Sequence, residues 1–319
     1  MGRASARPFF VCAGIFVGGL MKRMELLGVV ALCVWSGSGW LLTEAWPTEL
    51  SDSFVGMLHF GLIAVVAVVL ALRGARGAAR LPVRRELEIA LVGVMLFAVP
   101  TLGLRLARTG MTSFAEVAVF AAVPLVMAVL ATLAQEAASE GGLGQAITPG
   151  LVGFCGALLL FPLWVPGSLR HELALAATVG CAVLVAWASL RVRVVLDGVD
   201  WALAVAIVAG ANALVFAAAW LAGGDALPGV RALGVELVRG AVFDLPLVVL
   251  TVCLMGKVEP ERLGARFLLA PLVTVVEGYA RERGPLDLRT MAAVALIAGG
   301  GVWVLVRRQA DGPMTILAE

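Results

Sequence analysis

Charge is what this chain has least of. Only 14% of its 319 residues are charged against 61% hydrophobic, and the mean hydropathy is +1.00. That leaves too little polar surface to coat a water-soluble globule of this length, so the solvent implied is a bilayer. Regular apolar–polar alternation is missing too, which excludes a membrane β-barrel. Histidine is scarce: His59 and His171 are the only two, so neither a His-based zinc centre nor an HExxH motif can be built. The five cysteines, Cys12, Cys33, Cys155, Cys181 and Cys253, stand one per segment without CxxC spacing. They read as small apolar fillers, not as a disulfide frame or metal site. No nucleophile–base pair or phosphate-cradling loop is visible, and nothing calls for a cofactor. The basic residues gather into no single domain, which excludes nucleic acid as a partner.

What is present is a series of long apolar runs, each suited to a helix crossing a hydrocarbon core of roughly 30 Å. About ten can be drawn: Leu26–Ala45, Ser53–Leu72, Leu87–Leu106, Phe114–Leu133, Ile147–Trp164, Leu173–Leu190, Trp201–Ala222, Leu237–Met255, Leu263–Tyr279 and Met291–Val306. Residues 1–23 form an extension that reads either as an interfacial helix or as residues ahead of the true start, since Met21 and Met24 lie just beyond its apolar run Pro8–Leu20. With the N-terminus in the cytoplasm, 16 of the 24 basic residues fall inside. That bias predicts a multi-pass protein of the inner membrane with both termini, including the tail 311–319, cytoplasmic.

The chain also contains itself twice. Phe120–Phe161 and Phe267–Arg308 share one plan: Phe-x-x-x-Pro-Leu-Val, a polar corner, then a glycine-bearing apolar run. Upstream of each copy, at nearly equal spacing, stand Phe97-Ala-Val-Pro100 and Phe243-Asp-Leu-Pro246. Two motifs in the same order at the same separation mark a repeat, with halves over residues 24–165 and 166–310. Five spans per half is an odd number, so the second half must enter the membrane from the opposite side. Inverted repeats are the architecture by which many secondary transporters build two mirror-related states around one midplane site. The fold expected is thus an all-α integral membrane protein, two inverted five-helix repeats enclosing a shared polar chamber.

The same residues resemble a known family. Trp35-Ser36-x-Ser38-x-Trp40 in the first span, Ala186-Trp187-Ala188 in the sixth, Pro124 and Pro271 in the fourth and ninth, and a glycine-rich tenth are similar to the EamA branch of the drug/metabolite transporter superfamily. One departure stands out: such proteins commonly carry a Gly-Glu pair at the corner between the ninth and tenth spans, and here Gly284 occupies the glutamate position. The resemblance implies export or exchange of a small organic metabolite by alternating access, driven by a proton or substrate gradient.

Ionisable groups inside spans are costly and mark function by default. Asp244 lies near the middle of the eighth span while its repeat counterpart is Ala98, an asymmetry that makes it first choice for a proton-coupling carboxylate. A structural role, bonded for instance to Asn212 of the seventh span, is the competing account. Glu44, Arg105, Glu116 and Glu277 fall toward one end of their helices and form either an outer gate of ion pairs or, for Glu116 and Arg105, a tie across a short loop. Glu236 and Arg239 make a further pair at i, i+3. Trp35, Ser36, Ser38 and Trp40 suit either a pocket for an amphipathic or cationic solute or, with Gly37 and Gly39, a small-residue packing face. Pro100, Pro124, Pro246 and Pro271 are hinge candidates, since each frees a backbone carbonyl. Gly150, Gly153, Gly156 and Gly299 to Gly301 suit close packing of the fifth and tenth helices. The function expected is solute transport and not enzymatic. An integral-membrane enzyme or lipid-handling protein using its intramembrane carboxylates is the alternative, and a homodimer is compatible with the sequence.

Overall fold

The computed structural model describes residues 9–46, 48, 50–74, 81–107, 110–135, 143–161, 168–225, 227–282 and 287–306. Residues 1–8, Gly284 and the tail 311–319 lie outside the described residues, as does the side chain of Trp40. Every regular element among the described residues is helical: α1 (Phe9–Gly37), α2 (Gly39–Ala45), α3 (Asp52–Gly74), α4 (Val83–Leu96), α5 (Ala98–Ala107), α6 (Ser113–Phe120), α7 (Val123–Gln135), α8 (Leu143–Leu160), α9 (Leu169–Leu196), α10 (Trp201–Gly223), α11 (Val230–Arg239), a π turn (Gly240–Asp244), α12 (Leu245–Met255), α13 (Pro260–Gly264), α14 (Arg266–Glu282) and α15 (Leu288–Val306).

Among the described residues, eight stretches are long and apolar enough to cross a membrane: Asp52–Gly74, Val83–Arg105, Ser113–Leu133, Leu169–Leu196, Trp201–Gly223, Val230–Met255, Pro260–Arg281 and Leu288–Val306. Ala146–Leu160 is apolar but shorter. Large apolar side chains such as Val65, Leu214, Leu221 and Trp303 face outward, as a lipid-solvated exterior requires.

Several expected spans are broken helices. The third stops at Phe97 and restarts at Ala98, because Pro100 has no N–H to continue the ladder. The fourth breaks at Ala121 and Ala122, just ahead of Pro124, and the eighth widens into the π turn just ahead of Pro246. In each case the proline sits within the first three residues of the new segment, where a missing N–H costs least. Pro271 differs, lying inside the continuous helix α14. The first span is also interrupted, at Ser38, without a proline.

Packing follows small residues. Helix α3 lies along α10, and α8 along α15. A Cβ added at Gly300 would come 2.5 Å from the Gly153 nitrogen, so these two backbones touch directly. At Gly56 the same addition would fall 2.8 Å from the buried ring of Phe216. In lipid, where no hydrophobic effect drives helices together, such close approach is the main attraction available. Helices α4, α5 and α7 pack on α9, while α12 and α14 pack on α1.

Candidate functional site

The π turn organises the polar interior. Its wider winding closes with a hydrogen bond from the Leu245 N–H to the Gly240 carbonyl, and turns of this kind recur at functional sites. Glu236 lies just before it and Asp244 ends it, and both carboxylates turn toward His59 of α3. His59 Nδ1 is 2.9 Å from Asp244 Oδ2. On the other side of the ring Nε2 points at the Glu236 carbonyl oxygen, 3.0 Å away, with Glu236 Oε2 beside it at 3.2 Å as an ion contact, not an aligned hydrogen bond. Arg239 is 3.7 Å from the other Glu236 oxygen, the i, i+3 neighbour named above. Gly240 makes room for the ring, since a Cβ there would fall 2.6 Å from His59 Cδ2. His59 and Glu236 are buried, whereas the Asp244 side chain is 31% exposed.

Asp244 is therefore not bonded to Asn212. That pairing is corrected by the position of the amide, which is buried on α10 and faces the other broken helix: its Oδ1 accepts from the Ala98 N–H at 2.9 Å, and its Nδ2 donates to the Val208 carbonyl at 2.8 Å. The helix break at Phe97 leaves Ala98 without an ordinary ladder partner, and Asn212 supplies one.

Along the first span, the Trp35 indole N–H donates to the Phe243 carbonyl at 3.1 Å, and its ring stacks on Phe243 with centroids 5.8 Å apart. The residue next in chain is Asp244, so the expected aromatic cluster and the expected carboxylate meet at one seam. Gly37 and Gly39 pack tightly, against Ala270 and Val273 and against Phe243 respectively, so the small residues form a packing face while Trp35 and Ser36 remain exposed. The Ser38 hydroxyl donates to Glu277, and the Thr274 hydroxyl donates to the Gly37 carbonyl at 2.7 Å. Nearer the helix ends Arg281 pairs with Glu44.

The tie between Arg105 and Glu116 is corrected likewise. Arg105 NH1 donates to Ser53 Oγ at 2.6 Å, drawing α5 to α3, while Glu116 is buried in the first turn of α6. Glu44 is held by Arg281, Glu277 by Ser38, and Arg105 by Ser53 at the start of α3. Three residues of these polar contacts were not singled out from sequence: His59, Thr274 and Arg281. The signal for His59 was available, because an ionisable residue within a span is the same cue that singled out Asp244.

A pocket lies at the end opposite the Glu44–Arg281 pair, lined by Pro124, Ala128, Pro149, Gly150, Glu259 and Arg262 among others. The polar contacts thus run from the π turn, midway along the eighth span, to the Glu44–Arg281 pair near one end, and this pocket lies near the other. Among the described residues no group of three His, Cys, Asp or Glu side chains is arranged to hold a metal ion.

The fold has a solved counterpart. A crystal structure of a protein matches with a TM-score of 0.70 at 16% identity, covering 89% of this chain and 98% of that one. At that identity the likeness is one of fold alone. No protein-family model and no curated protein matches the chain.

Proposed function

We propose that the chain is a secondary transporter of the drug/metabolite type, moving a small organic solute across the inner membrane by rocking two inverted five-segment halves. One observation carries this reading. Number the segments in chain order, so that the first is α1–α2, the third α4–α5, the fourth α6–α7, the eighth α11–α12 and the ninth α13–α14. The first packs on the eighth and ninth, and the sixth packs on the third and fourth; the second lies along the seventh, the fifth along the tenth; the fourth touches the fifth, and the ninth touches the tenth. Exchanging every segment with the one five places away turns this scheme into itself. Such exchange is what a pseudo-twofold between halves produces, and an odd number of crossings per half sets the two in opposite senses. Alternating access then needs only that the halves swap conformations about the shared interior. The polar seam running to one end and the pocket at the other fit a state closed at the first and open at the second.

The test has two parts. A thermal-shift screen of small organic solutes on purified protein finds a candidate, since anything bound to the native state raises apparent stability. Counterflow of that solute in proteoliposomes is then expected, and Asp244→Asn is expected to reduce it. Cysteine labelling that finds the residues flanking Pro124 and Pro271 crossing the bilayer in the same sense would sink the inverted-repeat reading.

A further inference from the structure

We infer that His59 is a proton-binding site, with the Asp244 carboxyl as its route of entry and Glu236 as its buried counter-charge. The coupling role given to it rests on the transport reading above; the site itself rests on geometry. Every polar atom facing the ring is an acceptor: Asp244 Oδ2 at Nδ1, and the Glu236 carbonyl and carboxylate oxygens at Nε2. A neutral imidazole has one N–H and would leave a ring lone pair against an oxygen lone pair, whichever tautomer it took. Only the imidazolium donates at both ends.

Charge gives the same answer independently. Two carboxylates, Glu236 and Asp244, flank the ring, and an apolar interior tolerates uncompensated charge poorly. A proton on His59 sets an opposite charge between them. Among the described residues of the elements packed against α3, helix α11 adds only the exposed Arg231 to Glu236 and Arg239. Helix α10 has no titratable side chain, α12 has only Cys253, and Arg105 of α5 is engaged with Ser53, closer to the start of α3.

Access decides the route. The side chains of His59 and Glu236 are 6% and 4% exposed, and that of Asp244 is 31% exposed. Asp244 is the least buried of the three, so a proton enters on its carboxyl and passes to Nδ1 across 2.9 Å, the carboxyl O–H breaking as the ring N–H forms, and it leaves by the reverse step. With the proton gone, the Asp244 carboxylate and the Glu236 carbonyl face a ring whose single N–H can satisfy only one of them, and the hold between α3 and the α11–α12 segment loosens. Proton occupancy thereby sets how tightly the second and eighth segments stay together.

The chain has only two histidines, which makes the site directly observable. Full-length protein carrying His171→Gln and 15N-labelled histidine, purified in detergent, shows a single ring by NMR. The expected result is one proton exchanged as pH is varied over the range in which the protein stays folded, with both nitrogens protonated at the acid end. At a fixed pH within that range, Asp244→Asn lowers the charged-to-neutral ratio by about tenfold or more, because a neighbouring opposite charge has been removed. A ring that stays in one neutral tautomer throughout, or whose ratio is the same in Asp244→Asn and Glu236→Gln as in the parent, overturns the inference. The transport reading is judged separately. A titrating ring in a chain that shows no counterflow keeps the proton site and removes the coupling role; counterflow with an inert ring keeps transport and removes the site.

Discussion

Two corners of this molecule begin with the same phrase and end in different chemistry. At Phe97–Pro100 the third segment stops and restarts, and the exposed N–H of Ala98 is taken by the neutral amide of Asn212 in a fully buried setting. At Phe243–Pro246 the eighth segment widens instead of stopping, and the position matching Ala98 carries Asp244, which meets His59 and is only partly buried. A backbone break inside lipid must be given polar partners. The two corners teach that the nature of the partner separates roles: a neutral amide closes one corner, and an ionisable pair leaves the other able to change state.

The largest effect is expected from making the first corner resemble the second. Ala98→Asp would place a carboxylate in a fully buried site where Asn212 Oδ1, an acceptor, already takes the backbone N–H. An uncompensated buried charge costs about 3–5 kcal/mol, so size-exclusion chromatography in detergent should recover little monodisperse protein. Next, Asn212→Leu removes the Ala98 partner without adding charge. It should lower stability by about 1–3 kcal/mol in a denaturant titration, the range for a buried donor left unsatisfied. Trp35→Phe keeps the stacking on Phe243 and deletes only the indole N–H, for an expected loss of about 0.5–1.5 kcal/mol by the same titration.

Smaller still is Arg281→Gln. Its pairing with Glu44 is half-exposed, so the change should stay under about 1 kcal/mol and shrink further in high salt. The smallest effect concerns Asp287, at the start of α15. The Thr290 hydroxyl, and then the Thr290 N–H at 2.9 Å, hold its carboxyl below the ordinary value. A depressed carboxyl stabilises the fold above its unfolded value and ceases to do so as pH falls through the folded one. Wild type and Asp287→Asn should therefore differ slightly in thermal midpoint at pH 7 and converge as pH falls below the ordinary carboxylate range and through the folded value. If Asn212→Leu proved milder than Trp35→Phe, the contrast between a sealed corner and an open one would not hold.

Much of the architecture could be read from the residues because uninterrupted apolar runs leave few alternatives to helices in lipid. Prolines also marked three breaks, at Phe97, at Ala121 and before Pro246. The break at Ser38 had no such mark, and the π turn had none either, since Gly240, Ala241 and Val242 fit an ordinary helix equally well. Asp244 stood out by the cost of a carboxylate in a span. Its partner did not, because scarcity of histidine was weighed only against metal binding, and a single imidazole needs no second histidine to hold a proton. Asn212 and Arg105 were each recognised as polar groups needing partners, and each found one on a different helix from that expected. Adjacency in a bundle depends on which faces turn inward, and a uniformly apolar helix such as α10 gives no clue to its own rotation.

The π turn holds one residue more than an α-helix would use over the same stretch. The surplus lets the segments on either side keep their register; without it the stretch would wind as an ordinary α-helix at about 100° per residue, and the residues of the turn, Asp244 among them, would face the imidazole at a different angle. Hydropathy, length and net charge would scarcely register the loss of a single alanine at position 241. In a chain this uniform in composition, angular phase is the variable that natural variation could alter most cheaply, and a one-codon deletion would be its sharpest form.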